Sequence, residues 1–280
     1  VEKVWGMEPS DISQTVAKSR VSTANPLNTL KKALRPKPGD DAVFLYPRGG
    51  MAELVDFFLT GLWAADVTVK FDCPVSVEDI ESWPGQVFYS GHLSHLAPQC
   101  GLEHRGLYLL HIAVPKNTVG PTDTFYLPET EFLFGRVSQP AKFSVDLEDQ
   151  EVDVLCAEIP QGRHGTDQDF TIQTERIQNQ LIEANILPSG TPIIDIEQTF
   201  IPRVYPLYTR GWLNRWNEAL ATVRKLGNVY PIGRQGLFLH CNVDQCVHIA
   251  DDAVSHFLSG AHIQYWLDRA DQFLELRVRD

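Results

Sequence analysis

Pro-Ile-Gly-Arg-Gln-Gly-Leu-Phe is the sequence of residues 231–238, and Asn-Val-Asp follows at 242–244. The apolar segment that leads into the glycines predicts a strand, and the apolar spacing over 242–258 predicts a helix. Two glycines allow the backbone to approach a ligand closely, and the first turn of a helix offers free N–H groups. Arg234 can hold a phosphate with two parallel hydrogen bonds. These features fit a diphosphate site, although on these residues alone a plain strand–turn–helix connection with a surface arginine is slightly favoured.

The composition is that of an ordinary globular protein. The chain has 280 residues, of which 43% are hydrophobic and 21% charged, enough for a sizeable core in one large domain or two smaller ones. The net charge of −12 and the pI of about 5.2 give a surface that repels phosphate backbones, so a general nucleic-acid-binding protein is not expected. Anionic small molecules remain compatible with this charge, because a local cluster of arginines can outweigh the overall field.

The five cysteines are an odd number, and their spacings match no disulfide framework. We therefore expect free thiols and a reducing, cytoplasmic compartment. No window of about 18 residues is continuously apolar, so no transmembrane helix is expected, and the first residues do not match a signal peptide. Since the chain does not begin with Met and opens on a dense apolar and charged motif, we expect further sequence upstream or on another chain.

The order of the predicted elements indicates the fold class. A helix, a strand, a helix and a strand are followed by many strands and then by a strand and helices, which indicates an α/β (α+β) fold with an inserted antiparallel sheet. The predicted strands are 42–47, 67–71, 86–91, 106–114, 125–127, 132–134, 143–145, 152–158, 193–201 and 228–232. The predicted helices lie within 1–35 and at 51–62, 171–184, 211–226, 242–258 and 262–276.

Four further segments accompany the glycine-arginine segment. The first is Glu-Lys-Val-Trp-Gly at 2–6, with Ile12, Ser13 and Arg20 after it, and the second is Phe-Leu-Tyr-Pro-Arg-Gly-Gly-Met at 44–51. The third is Val-Phe-Tyr-Ser-Gly at 87–91, which is followed by Leu-Glu-His-Arg-Gly-Leu at 102–107. The fourth is Phe-Gly-Arg-Val at 134–137, which is followed by Ala-Glu-Ile-Pro at 157–160. Together the five segments span most of the chain. In this order they resemble the flavin-dependent amine oxidase and protoporphyrinogen oxidase superfamily, and within it the branch that includes UDP-galactopyranose mutase.

This resemblance implies FAD as the cofactor and an FAD-binding α/β lobe that carries an inserted, antiparallel substrate lobe. The implied boundaries are 1–37 for a helical part of the substrate lobe, 101–227 for its β-rich part, and 38–100 with 228–280 for the FAD-binding lobe. The residues that the resemblance places against the flavin, its diphosphate or its adenine are Arg48, Gly49, Gly50, Val69, Gly233, Arg234, Gly236, Asn242 and Asp244.

Arg136 and Arg105 are the substrate-facing residues that the resemblance implies. Their charge points to a polar or anionic small molecule, with sugar derivatives among the candidates. The mutase substrate itself is not expected, because His240 and Cys241 replace two tyrosines that grip its diphosphate and Ile159 replaces a third tyrosine. A related sugar, or the oxidation of a different substrate, fits these residues better. We assign no protein nucleophile, since the flavin would carry the chemistry.

The dinucleotide fingerprint of the superfamily, Gly-x-Gly-x-x-Gly, normally precedes the Glu-Lys-Val-Trp-Gly motif, and no match to it occurs in this sequence. We therefore expect the chain to lack the first βαβ unit. FAD would then bind weakly or not at all, unless an upstream segment or a partner polypeptide supplies that unit. Two functions stay open: an FAD-dependent oxidoreductase or its C-terminal portion, and a catalytically inactive relative that serves as a binding or assembly module.

Two weaker patterns have both a functional and a structural interpretation. Cys241, Cys246 and His248 have the spacing of one side of a metal site, but no second Cys/His pair completes it. Buried thiols beside a helix are therefore expected there, and no metal. Trp212 and Trp216 lie four apart on a predicted helix, so we expect them in the core rather than in a stacking platform.

Overall fold

The structure is a computed structural model of the chain, and it describes residues 3, 6, 11, 13, 46–144, 146, 151–162 and 169–276. The helices predicted within 1–35 and most of the predicted strand 42–47 lie outside these residues. Arg20 and most of the Glu-Lys-Val-Trp-Gly motif lie outside them as well.

The described residues form eight α-helices and seven strands. The α-helices are α1 Met51–Ala64, α2 Val77–Ser82, α3 Leu93–Leu96, α4 Thr174–Glu183, α5 Trp212–Leu226, α6 Gly233–Gly236, α7 Val243–Leu258 and α8 Ile263–Asp268. The strands are β1 Val87–Tyr89, β2 His104–Pro115, β3 Thr124–Tyr126, β4 Arg136–Ser138, β5 Val152–Pro160, β6 Asp195–Pro206 and β7 Val229–Pro231. Short 3₁₀ helices lie at Pro98–Cys100, Pro140–Lys142, Thr171–Gln173 and Ala270–Glu275.

The chain divides into two compact units. The first unit consists of the described residues within 1–7, 37–72 and 105–204. The second consists of the described residues within 8–36, 73–104 and 205–280. Among the described residues, 46–72 belong to the first unit and 205–227 to the second. The assignment of one lobe to FAD and the other to the substrate stays a prediction.

The first unit is built on a five-stranded sheet in the order β3-β4-β5-β2-β6. β2 pairs antiparallel with β5 over nine residue pairs, and β4 pairs antiparallel with both β3 and β5. Alternate residues of β2 point into the core, so Leu110, Ile112 and Val114 are fully buried. Helix α4 adds Ile177 and Leu181 to the same core. The predicted antiparallel sheet and the mixed α/β class are thus confirmed.

Three predicted strands of the first unit are wrong. Residues 132–134 form an irregular connection, and β4 begins later, at Arg136, where the backbone pairs with β3 and β5. Phe134 is instead fully buried in the core. Residues 67–71 are irregular and pair with no strand among the described residues, and residues 143 and 144 also form no strand. An apolar run becomes a strand only where a neighbouring strand accepts its hydrogen bonds.

The second unit contains a two-stranded parallel sheet in which β1 pairs with β7. Tyr230 of β7 is buried, and its ring stacks on that of Phe88 of β1 with 5.0 Å between the centroids. On α8, Trp266 Nε1 donates a hydrogen bond to the carbonyl oxygen of Pro231 at 3.2 Å. Aromatic side chains thus pack the short sheet and bond to the last residue of β7.

Trp212 and Trp216 of α5 belong to the core of the second unit, as predicted, with exposed fractions of 2% and 1%. The ring of Trp212 stacks on Tyr208, and Tyr208 Oη donates to the carbonyl oxygen of Phe238 at 3.0 Å. Trp216 Nε1 donates to the carbonyl oxygen of Leu237 at 2.9 Å. These two bonds fasten the end of the 231–238 segment to the core.

Helix α2 was not predicted, although its signal is present in the sequence. The hydroxyl of Ser76 accepts a hydrogen bond from Asp79 N at 3.1 Å, and the Asp79 carboxylate accepts one from Ser76 N at 2.9 Å. This reciprocal pair is a capping box, which satisfies backbone donors at the start of a helix.

Two surfaces expose large apolar side chains. The α1 surface is helix α1, none of whose residues is buried: Glu53, Asp56 and Thr60 lie along one side, and apolar residues cover the rest, with Phe57 71% and Trp63 55% exposed. The α7 stripe runs along one side of α7 at helical spacing and consists of Val243, Val247, Val254, Phe257 and Leu258. Contiguous exposed apolar patches of this kind commonly mark surfaces that another element or chain covers. Among the described residues, no helix combines the length and the apolar character needed to span a bilayer.

We expect Gly236→Ala to destabilise the protein. An added Cβ would lie 2.3 Å from the carbonyl oxygen of Tyr89, and forcing the two apart is overpacking that costs about 1–3 kcal/mol. Urea unfolding followed by far-UV circular dichroism measures the loss. The matched control is Gly61→Ala in α1, where the space is open and alanine should gain up to about 1 kcal/mol. An unchanged unfolding midpoint for Gly236→Ala would contradict the close contact with Tyr89.

Candidate functional site

Segment 231–238 connects strand β7 to the start of α7 through the short helix α6. Gly233 has a φ of 67°, in the left-handed region that favours glycine, and the space beside its Cα is open. Gly236 instead faces the carbonyl oxygen of Tyr89. The two glycines therefore serve different purposes: Gly233 permits the turn and leaves the backbone accessible, whereas Gly236 lets α6 lie directly on β1.

Among the described residues, one side-chain nitrogen of Arg234 has a hydrogen-bond acceptor and another has none. Its Nη1 donates to the carbonyl oxygen of Cys241 at 3.2 Å, and its guanidinium lies 5.4 Å from the centroid of the Tyr205 ring. Its Nη2 is buried and has no hydrogen-bond partner in the part of the chain that the structure describes. Leaving such a donor unsatisfied is costly, so an anionic oxygen bound there would be stabilised. This geometry fits the diphosphate role implied for Arg234.

Helix α7 begins beside this arginine, with Asn242 as its N-cap residue. Asn242 N donates to Gln245 Oε1 at 2.9 Å, as in a capping box. Asp244 is exposed in the first turn, where its negative charge interacts favourably with the positive end of the helix dipole. Because a carboxylate repels phosphate, Asp244 is suited to accept hydrogen bonds from cofactor hydroxyl groups rather than to hold the diphosphate.

Cys241 and Cys246 meet at the start of α7. Their Sγ atoms lie 3.5 Å apart, with Cys241 buried and Cys246 half-buried. The hydrogen bond between the thiols lowers the pKa of Cys246 to about 6 and raises that of Cys241, whose burial raises it further. Arg234 also lowers the pKa of Cys246, through a backbone hydrogen bond and its positive charge, while the charge of Asp244 raises it. These contacts therefore favour the thiolate form of Cys246 over that of Cys241.

The Arg48-Gly49-Gly50 turn stands at the start of α1, in the first unit. Gly50 is the N-cap residue and has a φ of 80°. Gly49 N donates to Glu53 Oε2 at 2.8 Å, so this donor is already satisfied by a carboxylate of the chain. Arg48 is exposed, with Nε 3.9 Å from Asp146 Oδ1. The structure confirms the turn, and its role beside the flavin stays a prediction.

Val69, implied to meet the adenine, is half-buried in the irregular segment 67–71. The strand predicted there is absent, so no sheet partner in the described ranges takes up the backbone N–H and C=O of Val69. Backbone groups outside a sheet bond instead to other backbone groups, to side chains, to water or to a ligand. An adenine contact is compatible with this arrangement and stays a prediction.

Arg136 and Arg105 are both engaged by the protein itself. Arg136 in β4 forms an ion pair with Glu158, its cross-strand neighbour in β5, with 3.0 Å between Nε and Oε1. Arg105, only 8% exposed, donates from Nε to the carbonyl oxygen of Gln161 and from Nη1 to that of Lys3, each at 2.7 Å. Of the two, the Arg136 side chain is the more accessible, at 44% exposed. Their substrate-facing role stays a prediction.

The structure gathers part of the implied site around one turn and one helix start of the second unit: Gly233, Arg234, Gly236, Asn242 and Asp244. The first unit carries the remaining implied residues, Arg48, Gly49, Gly50, Val69, Arg105 and Arg136. Sequence reasoning missed Tyr205, which lies under Arg234, because no motif marks it. The closeness of Cys241 and Cys246 did have a signal, since they occupy the N′ and N4 positions that pack together at helix starts.

No protein-family model matches the chain, and no curated protein matches its sequence. Solved structures do match. A crystal structure of reduced UDP-galactopyranose mutase is similar with a TM-score of 0.77 and 16% sequence identity, over 99% of this chain and 66% of that chain. A crystal structure of a protein described as a protoporphyrinogen oxidase, from Exiguobacterium sp. 255-15, is similar with a TM-score of 0.56 and 12% identity, over 88% of this chain and 60% of that one.

These similarities confirm the fold that the five sequence segments predicted. The chain has the fold of the UDP-galactopyranose mutase and of the protein described as a protoporphyrinogen oxidase, the two kinds of protein that the segments resemble. It spans less than two thirds of the length of either solved chain. At identities this low the likeness establishes the fold alone, and the activity has to be argued from the site.

Alkylation of Cys246 by iodoacetamide should reach half of its maximal rate near pH 6, because the thiolate is the reacting form and its pKa is about 6. Arg234→Ala should move this midpoint to higher pH, since the guanidinium charge favours the thiolate. The reaction can be followed by mass spectrometry of the tryptic peptide that carries Cys246, which is 235–269 in the unmodified chain and 226–269 in Arg234→Ala, with Cys246→Ser as the control. A midpoint at the ordinary thiol value of about 8.5 would contradict the thiolate.

Proposed function

We propose that this chain is the major part of an FAD-dependent oxidoreductase that acts on a polar or anionic small molecule, with sugar derivatives as the favoured class. Its segment 231–244 would close over the flavin and the FAD diphosphate. The proposal is supported by the agreement between the fold and the five sequence segments, which point to the same flavin-dependent superfamily. The similar structures bear the names of two kinds of protein in that superfamily.

One observation carries the cofactor assignment: the buried Nη2 of Arg234, which has no partner in the described ranges, lies beside an open, glycine-bearing turn. The chain's own acidic groups do not satisfy this donor in the described residues, and Asp244 is exposed to water. A diphosphate oxygen would satisfy it with a charge-assisted hydrogen bond. The start of α7 adds the positive end of a helix dipole. These groups fit the phosphate part of FAD.

The second unit supports the expectation that a dinucleotide-binding βαβ unit completes the site. Its parallel sheet has only two strands among the described residues, whereas parallel sheets are normally larger and covered by helices on both faces. The α7 stripe leaves a row of apolar side chains exposed. A βαβ unit supplies parallel strands and a helix, which are the elements that extend such a sheet. We propose that it comes from a segment outside these 280 residues or from a partner polypeptide.

The α1 surface indicates that the first unit, too, is covered by another part of the complete protein. Phe57, Phe58 and Trp63 are each more than half exposed on one helix. Full burial of one large apolar side chain stabilises an association by about 1.5–3 kcal/mol, so covering several of them would hold a partner domain firmly. We propose that α1 is an interface of the complete flavoprotein.

When bound, the flavin supplies the redox chemistry. The chain's own residues would bind the cofactor and select the substrate. Arg234 would hold a diphosphate oxygen through Nη2, and Asp244 would accept hydrogen bonds from cofactor hydroxyl groups. On the substrate side, Glu158 balances the charge of Arg136, so a substrate rich in hydroxyl groups suits this pair better than one with a high negative charge.

A second candidate function is favoured by one observation. Both arginines that were implied to face the substrate are held by groups of the protein, Arg136 by Glu158 and Arg105 by two main-chain carbonyls. A relative that had kept the fold but lost turnover would retain such contacts for stability. The chain would then be a binding or assembly module that does not hold FAD alone.

FAD retention separates the two candidates. We expect the purified chain alone to keep little FAD after gel filtration, because the phosphate donors of the second unit make up only part of a dinucleotide site. Fusing a dinucleotide-binding βαβ unit, taken from a flavoprotein of the same fold, ahead of Val1 should restore retention, visible as flavin absorption. Failure of both forms to take up FAD would favour the assembly module. Tight FAD binding by the chain alone would contradict the dependence on a βαβ unit.

In the form that retains FAD, Arg234→Ala should weaken FAD binding by about 1.5–3 kcal/mol, or roughly 10- to 150-fold, because it removes a charge-assisted hydrogen bond. Equilibrium titration with FAD fluorescence measures the change. The matched control is Arg224→Ala in the same unit, whose guanidinium is paired with Asp268 at 2.8 Å and should not affect FAD. Equal affinities for the two variants would place the diphosphate elsewhere.

A further inference from the structure

We propose that Cys241 and Cys246 are a peroxide-reactive dithiol that closes to a reversible intrachain disulfide. The two Sγ atoms already lie 3.5 Å apart. This modification site does not depend on the FAD assignment, because it is argued from the thiols and their surroundings alone. It gives a chemical role to the cysteine pair, which the proposed oxidoreductase function does not use.

The local fold holds the two thiols together. Cys241 precedes the N-cap of α7 and Cys246 stands one turn into the helix, the N′ and N4 positions whose side chains meet at a helix start. Neither cysteine is in a disulfide. A disulfide requires an S–S distance of about 2.05 Å, so the sulfur atoms must approach by roughly 1.5 Å. Side-chain rotation at the start of one helix can supply a movement of this size without a change of fold.

The surroundings give the two thiols different reactivity. Cys246 is half-buried, so a small oxidant can reach it, whereas Cys241 is only 2% exposed. The first turn of the 16-residue helix α7 and the guanidinium of Arg234 both favour a negative charge on Cys246. Asp244 opposes this effect from the exposed side of the same turn. Cys246 is therefore the attacking thiolate, and Cys241 is the resolving thiol.

Hydrogen peroxide is the oxidant class that the site suits, because it is small and uncharged. The Cys246 thiolate attacks one peroxide oxygen, the O–O bond breaks, and hydroxide leaves and takes up a proton to become water. Cys246 is then a sulfenic acid. Cys241 gives up its proton as its sulfur attacks Cys246 Sγ, the S–O bond breaks, and a second water leaves. In sum, two thiols are oxidised to one disulfide while one peroxide is reduced to two waters.

Two other roles for the pair have less support. Among the described residues, no group of three or more His, Cys, Asp and Glu side chains could hold a metal ion. Pure apolar packing at the N′ and N4 positions would not need the thiolate-favouring surroundings of Cys246. Cys100 and Cys156 show the ordinary behaviour, since burial raises the pKa of each thiol. They serve as internal controls for unreactive cysteines.

Peptide mapping tests the proposal on the unmodified 280-residue chain. Trypsin releases residues 235–269 as one peptide with only Cys241 and Cys246 as its cysteines. After treatment with hydrogen peroxide, we expect this peptide to lose two hydrogens in mass and to resist iodoacetamide, and dithiothreitol should reverse both changes. A second cleavage before Asp244 separates the cysteines into 235–243 and 244–250, which should stay linked until reduced. Two unlinked fragments after peroxide treatment would overturn the proposal.

Two matched variants test the roles of the two sulfurs. Cys241→Ser should stop the reaction at a sulfenic acid on residue 246, which dimedone captures, whereas Cys246→Ser should abolish both the disulfide and the captured sulfenic acid. Cys100→Ser should leave the disulfide unchanged. Sulfenic acid on residue 241 in the Cys246→Ser variant would reverse the roles and contradict the assignment. Since the unmodified chain gives the primary result, the test does not depend on the folding of any variant.

Discussion

The carbonyl oxygen of Tyr89 is the point on which the candidate site in the second unit depends. It accepts a hydrogen bond from Ile232 N at 2.9 Å, and it lies so close to Gly236 that only a residue without a Cβ fits there. The first contact fixes where β7 ends beside β1, and the second lays α6 against the same strand. Arg234 lies between these two fixed residues. Its position beside the start of α7 therefore follows from a contact with a strand that is distant in sequence.

Contacts between residues distant in sequence, such as that of Tyr89 with Gly236, separate what could be predicted from the sequence from what could not. Helices α1, α5 and α7 were predictable because their apolar spacing and flanking glycines or caps are local. Strand β2 was predictable because its apolar run, at residues 106–114, is long. The strands expected at 67–71 and 132–134 failed because a strand depends on a partner that local sequence does not reveal. The same limit applies to the site: the segment 231–238 was recognisable, but the engagement of Arg105 by main-chain carbonyls was not.

The apolar surfaces extend this reasoning to what lies outside the described residues. The chain is 43% hydrophobic, and much of that content forms the two cores, yet α1 and the α7 stripe keep large side chains exposed. Water disfavours such surfaces in proportion to their area, so each of them favours association with a covering element. The missing dinucleotide fingerprint and the two-stranded parallel sheet suggest a βαβ unit as that element. The sequence pattern, the size of the parallel sheet and the exposed apolar area therefore independently support the proposal that a βαβ unit completes the protein.

Arg234 links the cofactor proposal to the dithiol. Its Nη2 is the donor left for an anion, and its positive charge also favours the thiolate of Cys246. An anion held at Nη2 would neutralise part of that charge, raise the pKa of Cys246 and so slow its reaction with peroxide. By reciprocity, conversion of the thiolate to a neutral disulfide would leave the guanidinium without its competing negative charge and favour the anion. If both proposals hold, one arginine, placed by the contacts of Tyr89, would couple the redox state of the cysteines to the phosphate affinity of the turn.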